Sequence, residues 1–371
     1  MKKTTFAALA GIAAVSIALT GCGRAETPAE TAAEGGETAA AAGGFAADAT
    51  IGVALPDRTS ENWVLAGDLF TNGLEEAGFT GNVQYAGSSN SVGDQQQQIQ
   101  SMISAGAEVI IVGAADTNQL ATQLEAADAA DITVIAYDRL IQNSELVDYY
   151  VAFDNYHVGE LQAQSLLDGL EERFGDQEAW NIELFSGSAD DSNSAVFFDG
   201  AMSVLQPKID DGTLTVVSEQ TSVQQTATED WAAENAQNRM DTILQNSYQG
   251  EDLHGVLSPN DNLARAILTS VQNDGRDVPV VTGQDSEVES VQSIVAGDQY
   301  STIYKDTRAL VAAAIEMAQA LQAGEEPTTT ATSDNGAVEV PANLLEPVIV
   351  TQANAAEAYA DNEDLAPLTE Q

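Results

Sequence analysis

The chain is short of cations, of cysteine, of histidine and of aromatic residues. Lys and Arg together number 12 in 371 residues, against 58 Asp and Glu, for a formal net charge of −46. A surface of that sign repels nucleic-acid phosphates and anionic headgroups, so neither is expected as a partner. It also disfavours an anionic ligand unless a local basic pocket collects it. The single cysteine, Cys22, excludes an intrachain disulfide. His157 and His254 stand alone, with no zinc spacing and no calcium-loop ladder around the acidic pairs, so no metal is expected. A P-loop and a GxGxxG are both missing; Gly187 in Phe-Ser-Gly-Ser lacks the spacing that lets backbone approach a pyrophosphate, and no cofactor is expected. With aromatics at 6 %, each of the three tryptophans calls for an explanation. What is plentiful is apolar content, at 44 %, enough for two folded domains. So acidic a surface is expected to gain stability from added salt.

The N-terminus has the features of an address. Lys2 and Lys3 precede an apolar run from Phe6 to Leu19, too short to span a bilayer, and then Leu19-Thr20-Gly21-Cys22. That tetrapeptide resembles the bacterial lipobox, which implies cleavage before Cys22 and lipid on its sulfur, so residues 1–22 are expected to form a lipoprotein signal. Residues 23–47 are Ala, Glu, Thr and Gly with almost nothing to bury, the composition of a disordered tether. The expected location is extracytoplasmic, on the outer face of the cytoplasmic membrane or the periplasmic side.

From Ile51 apolar runs alternate with helical periodicity. Ten strand-like runs are Ile51–Leu55, Asn82–Tyr85, Val109–Val112, Ile132–Tyr137, Tyr149–Phe153, Ile182–Phe185, Leu214–Val217, Gly255–Leu257, Val278–Val281 and Tyr300–Tyr304. Helical segments between them include Trp63–Leu74, Leu120–Ala127, Val158–Leu170, Trp231–Leu244 and Leu310–Leu321. Alternation of this kind gives parallel sheets covered on both faces. Ten strands favour two doubly wound α/β halves, with a (β/α)8 barrel as the structural rival. A late extended stretch, Val338–Val350, is followed by a short helix near Ala355.

Ligands in open parallel sheets bind beyond the carboxyl ends of the strands. Strand after strand here runs into a charged or amide residue there: Arg58 and Asn62-Trp63, Asp138-Arg139, Asp154-Asn155, Asp190 to Asn193, Asn260-Asp261, Gln284-Asp285 and Lys305. Helix N-caps favour Asp and Asn too, which accounts for about half of them. Carboxylates, planar amides and guanidinium nevertheless suit a small neutral ligand crowded with hydroxyls, each both donor and acceptor. Trp63 and Trp231, each at a helix start, could lay an indole on a sugar's C–H face. Core packing is the bland alternative for either, and the one left for Trp180. Asp190 and Asp191, sequence neighbours in a loop, read as solvated turn or cap residues rather than a catalytic pair. No enzymatic activity is expected.

The runs Val134–Arg139 with Leu140, Phe153-Asp154-Asn155, Val158 to Ala163, Asp190-Asp191-Ser192-Asn193, Asp199 to Met202, Leu257-Ser258-Pro259, Gly283-Gln284-Asp285 and Tyr304-Lys305 carry a resemblance. As a set they are similar to the monosaccharide-binding lipoproteins of bacterial ABC importers, the xylose-binding and multiple-sugar-binding group of type I periplasmic binding proteins. The resemblance spans about Ile51 to Leu365. It implies two doubly wound domains joined by three hinge strands, closing on a sugar such as xylose, glucose, galactose or arabinose for delivery to a permease. It implies sugar contacts at Trp63, Asp138, Arg139, Asn193, Trp231, Asn260, Asp285 and Lys305. It implies an N-terminal domain of 48–153 plus 306–338 and a C-terminal domain of 154–303 plus 340–371, with crossings near Phe153–Asn155, Ile303–Asp306 and Val338–Val340. A monomer is expected. The family commonly has Glu-Arg-Trp where this chain has Glu61-Asn62-Trp63, and Asp-Asn-Asn where it has Asp191-Ser192-Asn193. Asn62 then takes the place of a cation, with Arg58 as the candidate replacement. The alternatives left open are a sugar sensor and a binder of another small polar molecule, such as a nucleoside or a furanose.

Overall fold

In strand β1 (Thr50–Leu55), Ile51, Val53 and Leu55 pack into one apolar cluster while Ala54 packs into another. Side chains alternate across a strand, so two clusters mean a sheet buried on both faces, the mark of parallel pairing. The computed structural model describes residues 44–370 apart from 57, 59 and 176. The signal peptide, Cys22 and nearly all of the tether expected above lie outside the described residues.

The later strands are β2 (Thr80–Tyr85), β3 (Val109–Val112), β4 (Thr133–Tyr137), β5 (Tyr149–Phe153), β6 (Trp180–Leu184), β7 (Leu214–Val216), β8 (Gly255–Leu257), β9 (Val280–Val281), β10 (Ser301–Tyr304), β11 (Ala331–Asp334), β12 (Glu339–Leu345) and β13 (Val348–Thr351). The N-terminal lobe holds a seven-stranded sheet in the order β11-β12-β5-β4-β3-β1-β2, parallel except where β11 meets β12. Helices Glu61–Glu76 and Thr307–Ala323 cover one face, Ser91–Ser104 and Ala121–Asp128 the other. The C-terminal lobe repeats the plan with the parallel order β7-β6-β8-β9. Helices Ala233–Ser247 and Asp261–Asn273 lie on one of its faces, Asn155–Phe174 and Ser192–Asp210 on the other. Both sheets are open, which removes the barrel.

Two glycines set how closely helices Asn155–Phe174 and Ser192–Asp210 pack. A Cβ on Gly159 would strike the Phe197 carbonyl, and one on Gly200 would strike that of Tyr156.

The chain passes between lobes at Asp154, at Lys305–Asp306 and at Glu346–Pro347, with β10 and β13 paired antiparallel beside the last two. The third crossing corrects the expectation of Val338–Val340. Residues Glu339–Leu345 stay in the N-terminal sheet, where Ala342 lies opposite Tyr150 and Leu345 opposite Phe153. Val340 and Ala342 are buried in that lobe's core, so burial holds the strand there until Pro347, which has no amide to donate. Helix Ala233–Ser247 also starts later than the sequence pattern indicates, at Ala233 rather than Trp231. Asp230 and Trp231 have left-handed backbones, with φ of 57° and 52°, which an α-helix does not accept.

Candidate functional site

Between the lobes, at the carboxyl ends of both sheets, lies a cavity of about 550 Å³. The N-terminal lobe brings Asn62 and Trp63 from the first turn of helix Glu61–Glu76, and Asp138 and Arg139 from the turn after β4. The C-terminal lobe brings Asn193, Trp231, Asn260 and Asp285, and Lys305 comes from the crossing after β10. These residues are far apart in sequence and converge on one space. Arg58 is not among the lining residues described: its guanidinium stacks 4.0 Å from the ring centre of Tyr85. The cation absent at Asn62 is therefore not replaced from that position, and this corrects the expectation for Arg58.

Charge in the cavity is organised around three carboxylates. Asp138 has a left-handed φ of 63°. Its carbonyl is held from both lobes, by the Tyr150 hydroxyl at 2.9 Å and by the Asn193 amide at 3.0 Å. Lys305 Nζ lies 3.2 Å from Asp285 and 3.9 Å from Asp138, so one buried ammonium stands between carboxylates of opposite lobes. Burial works against that ammonium, but Asp285 and Asp138 outweigh it and hold its pKa above the usual lysine value. Arg139 donates to the Ala114 carbonyl at 3.0 Å, and its Nε lies 2.9 Å from Asp191 Oδ2 across the lobe boundary. Its guanidinium sits 5.4 Å from the centre of the Trp63 ring.

Asp191 is the residue that sequence reasoning misplaced. Far from being a solvated turn residue, it is buried, accepts the Trp231 indole N–H at 3.2 Å and the Asn193 backbone N–H at 2.9 Å, and forms an ion pair with Arg139. Burial pushes its pKa up, against the downward pull of Arg139. Ser192, where the resemblance leads one to expect Asn, donates its hydroxyl to the Leu140 carbonyl at 3.0 Å and so joins the lobes. Gly187 passes directly under Trp231, where any Cβ would meet the indole. The available signal was the run Asp191-Ser192-Asn193 opening a helix; its cap role is real, since Asp191 caps Asn193, and it masked the wider one. Asn260 is likewise a cap, accepting from Leu263 N–H at 3.0 Å, and its position on the cavity wall leaves its amide NH₂ for other work.

Chemically the wall offers planar amides, two indoles, and carboxylates and cations already paired with one another. Among the described residues no cluster of His, Cys, Asp or Glu has the makings of a metal site.

Comparison with known proteins gives the family. The periplasmic binding protein domain family matches residues 51–326. The multiple sugar-binding periplasmic receptor ChvE of Rhizobium radiobacter is 45 % identical over 84 % of this chain and 89 % of its own length. The D-xylose-binding periplasmic protein of Escherichia coli is 32 % identical over 83 % of this chain and 88 % of its own. Among solved structures, an ABC transporter solute-binding protein from Clostridium phytofermentans with bound β-D-glucose superposes with a TM-score of 0.79 at 36 % identity, covering 85 % of this chain and 99 % of that one.

Proposed function

The chain belongs to the periplasmic binding protein family, and from that premise we propose that it captures a neutral monosaccharide outside the cytoplasm and delivers it to an ABC permease. The sugar is of the xylose, glucose, galactose or arabinose class. The observation that carries this reading is the pairing of cations in the cleft. Arg139 is committed to Asp191, Lys305 to Asp285 and Asp138, and Arg265 to Glu287 at 2.6 Å. An anionic ligand would have to displace a buried carboxylate from its partner. A polyol has no such conflict, because its hydroxyls donate to carboxylates and accept from amides and guanidinium at once.

The direct contacts are assigned to Trp63, Asp138, Arg139, Asn193, Trp231, Asn260, Asp285 and Lys305, with Asn62 at the rim. Since these groups come from both lobes, the ligand meets all of them only when the lobes are shut. That preference for the closed form is what lets binding drive closure. The protein binds its ligand and does not transform it. Lipid on Cys22 is assigned as the anchor, on the strength of Leu19-Thr20-Gly21-Cys22. The receptor description of the 45 % identical relative supports a second reading, in which the closed form is also presented to a sensory partner.

A thermal-shift screen of the mature protein against D-xylose, D-glucose, D-galactose and L-arabinose tests the proposal, since a ligand of the folded state raises the melting temperature by mass action. At least one aldose is expected to do so at millimolar concentration or below, with calorimetric titration giving one site. Failure of all four would sink the assignment. Growth on that sugar after deletion then separates import from sensing.

A further inference from the structure

Gln284 belongs to none of the contacts assigned above. It lies in the turn after β9, lines the cavity and is only 3 % exposed. Its carboxamide oxygen Oε1 is buried and, among the described residues, accepts no hydrogen bond. A polar group buried without a partner is costly, and buried amides in folded proteins are nearly always satisfied. Met or Leu would fill a similar volume without that cost.

The turn itself is not free to relieve the problem. The Gln284 carbonyl accepts from Asp261 N–H at 3.0 Å, and Asp285 N–H donates to Ile303 at 2.9 Å. Glu287 N–H is held by the buried Asp261 carboxylate at 3.0 Å. Asp285 and Ser286 have left-handed backbones, with φ of 97° and 55°, strain of the kind that collects where a fold presents side chains to a ligand. A main chain this firmly tied fixes the amide against the cavity wall. Rotation about its last torsion exchanges N and O, so the group can offer a ligand either a donor or an acceptor.

We propose that the Gln284 carboxamide is a ligand-contacting, specificity-determining group of this cleft, paired by one hydroxyl of the bound sugar. The cleft then discriminates against a sugar that lacks that hydroxyl. The proposal rests on the sugar-binding reading and deepens it.

The test uses the full mature protein, wild type and Gln284→Met, with Gln284→Leu as a second apolar shape in case the first does not fold. The aldose that stabilises wild type in the four-sugar screen is titrated calorimetrically alongside its monodeoxy forms. For the parent sugar the variant is expected to lose about ten- to a hundredfold in affinity. One deoxy form should bind wild type and variant alike, and the ligand-free melting temperature of the variant should equal or exceed that of wild type. Unchanged affinity for the parent sugar overturns the proposal. So does a lowered ligand-free melting temperature with the same weakening for every sugar tested, which would make Gln284 a packing residue. A wild type that binds none of the four aldoses overturns the sugar reading itself, a result distinguishable from either.

Discussion

Replacing Asp191 by Asn separates closure from folding. Its partners fall into two groups. Trp231 and Asn193 belong to the same lobe and stay beside it whether the cleft is open or shut, whereas Arg139 belongs to the other lobe. Opening the lobes would part Asp191 from Arg139 and solvate both, so their pairing is expected to contribute to closure alone. In the closed form their side chains are 4 % and 13 % exposed and 2.9 Å apart. Breaking a buried pair costs about 3–5 kcal/mol; the residual exposure of Arg139 lowers this to about 2–3 kcal/mol, or roughly thirty- to a hundred-and-fiftyfold in affinity. The bonds within the lobe go to different oxygens of Asp191, so Asn keeps one of the two and loses about 1 kcal/mol. The ligand-free melting temperature should therefore fall by only about 2–4 °C. Calorimetric titration and differential scanning calorimetry of the same preparations give both numbers. An Asp191→Asn protein with wild-type affinity, or one whose folding stability falls by several kcal/mol while its affinity holds, would refute the assignment of the pair to closure.

Three further outcomes are expected. Gly187→Ala puts a methyl group where the Trp231 indole lies, so affinity should drop at least about tenfold through displacement of that ring; an unchanged indole position in a crystal of the variant would contradict this. Ser192→Ala removes the hydroxyl that reaches Leu140 across the lobes. It should weaken binding by up to about tenfold while leaving the ligand-free melting temperature within a degree or two, as read by the same two calorimetric measurements. Burial pushes Glu287 from the ordinary 4.5 up to about 7, despite Arg265 pulling it down. The folded protein thus retains a proton that the unfolded chain has released, and this group's share of stability falls as pH climbs from 4.5 through about 7. The difference in melting temperature between wild type and Glu287→Gln, followed from pH 4 to pH 8, should shift in that direction; a constant difference would rule the linkage out.

The fold was legible because its signal is local and repeated. A run such as Val109–Val112, apolar at four consecutive positions, has no stable place except in a sheet covered on both faces. The third crossing was less legible, because nothing in Val338–Val350 says which lobe's sheet completes β12; that depends on the partner strand β5. The same limit applies to the site. Residues at strand ends could be picked out one by one, since the carboxyl edge of a parallel sheet is a defined place. What they bond to could not. Asp191 looked like a cap because it is one, and its contact with Arg139 spans 52 positions of sequence joined only by the tertiary fold. Arg58 looked like a spare cation, but the Tyr85 ring supplied by β2 holds it outside the cleft.

The arrangement around Lys305 explains how an acidic protein can couple closure to a neutral guest. Shutting the lobes brings Asp138 from one side and Asp285 from the other to a single ammonium, with Asp191 near enough to add to its field. Lys305, with Arg139 already paired to Asp191, leaves these three carboxylates one charge short of neutral, so an empty shut cleft retains like-charge repulsion in surroundings of reduced dielectric. Against this stand bonds the lobes make without any ligand, such as Thr117 N–H to the Asp190 carbonyl at 3.1 Å and Ser192 to Leu140. Repulsion and clasp oppose each other, so the balance between open and shut is set by whatever relieves the carboxylates. Sugar hydroxyls do so by donating to them, and an anion could only make the repulsion worse. The charge that makes the surface hostile to anions thus makes closure conditional on hydrogen-bond donors, and selectivity for uncharged polyols follows from the electrostatics of the hinge as much as from the shape of the cavity.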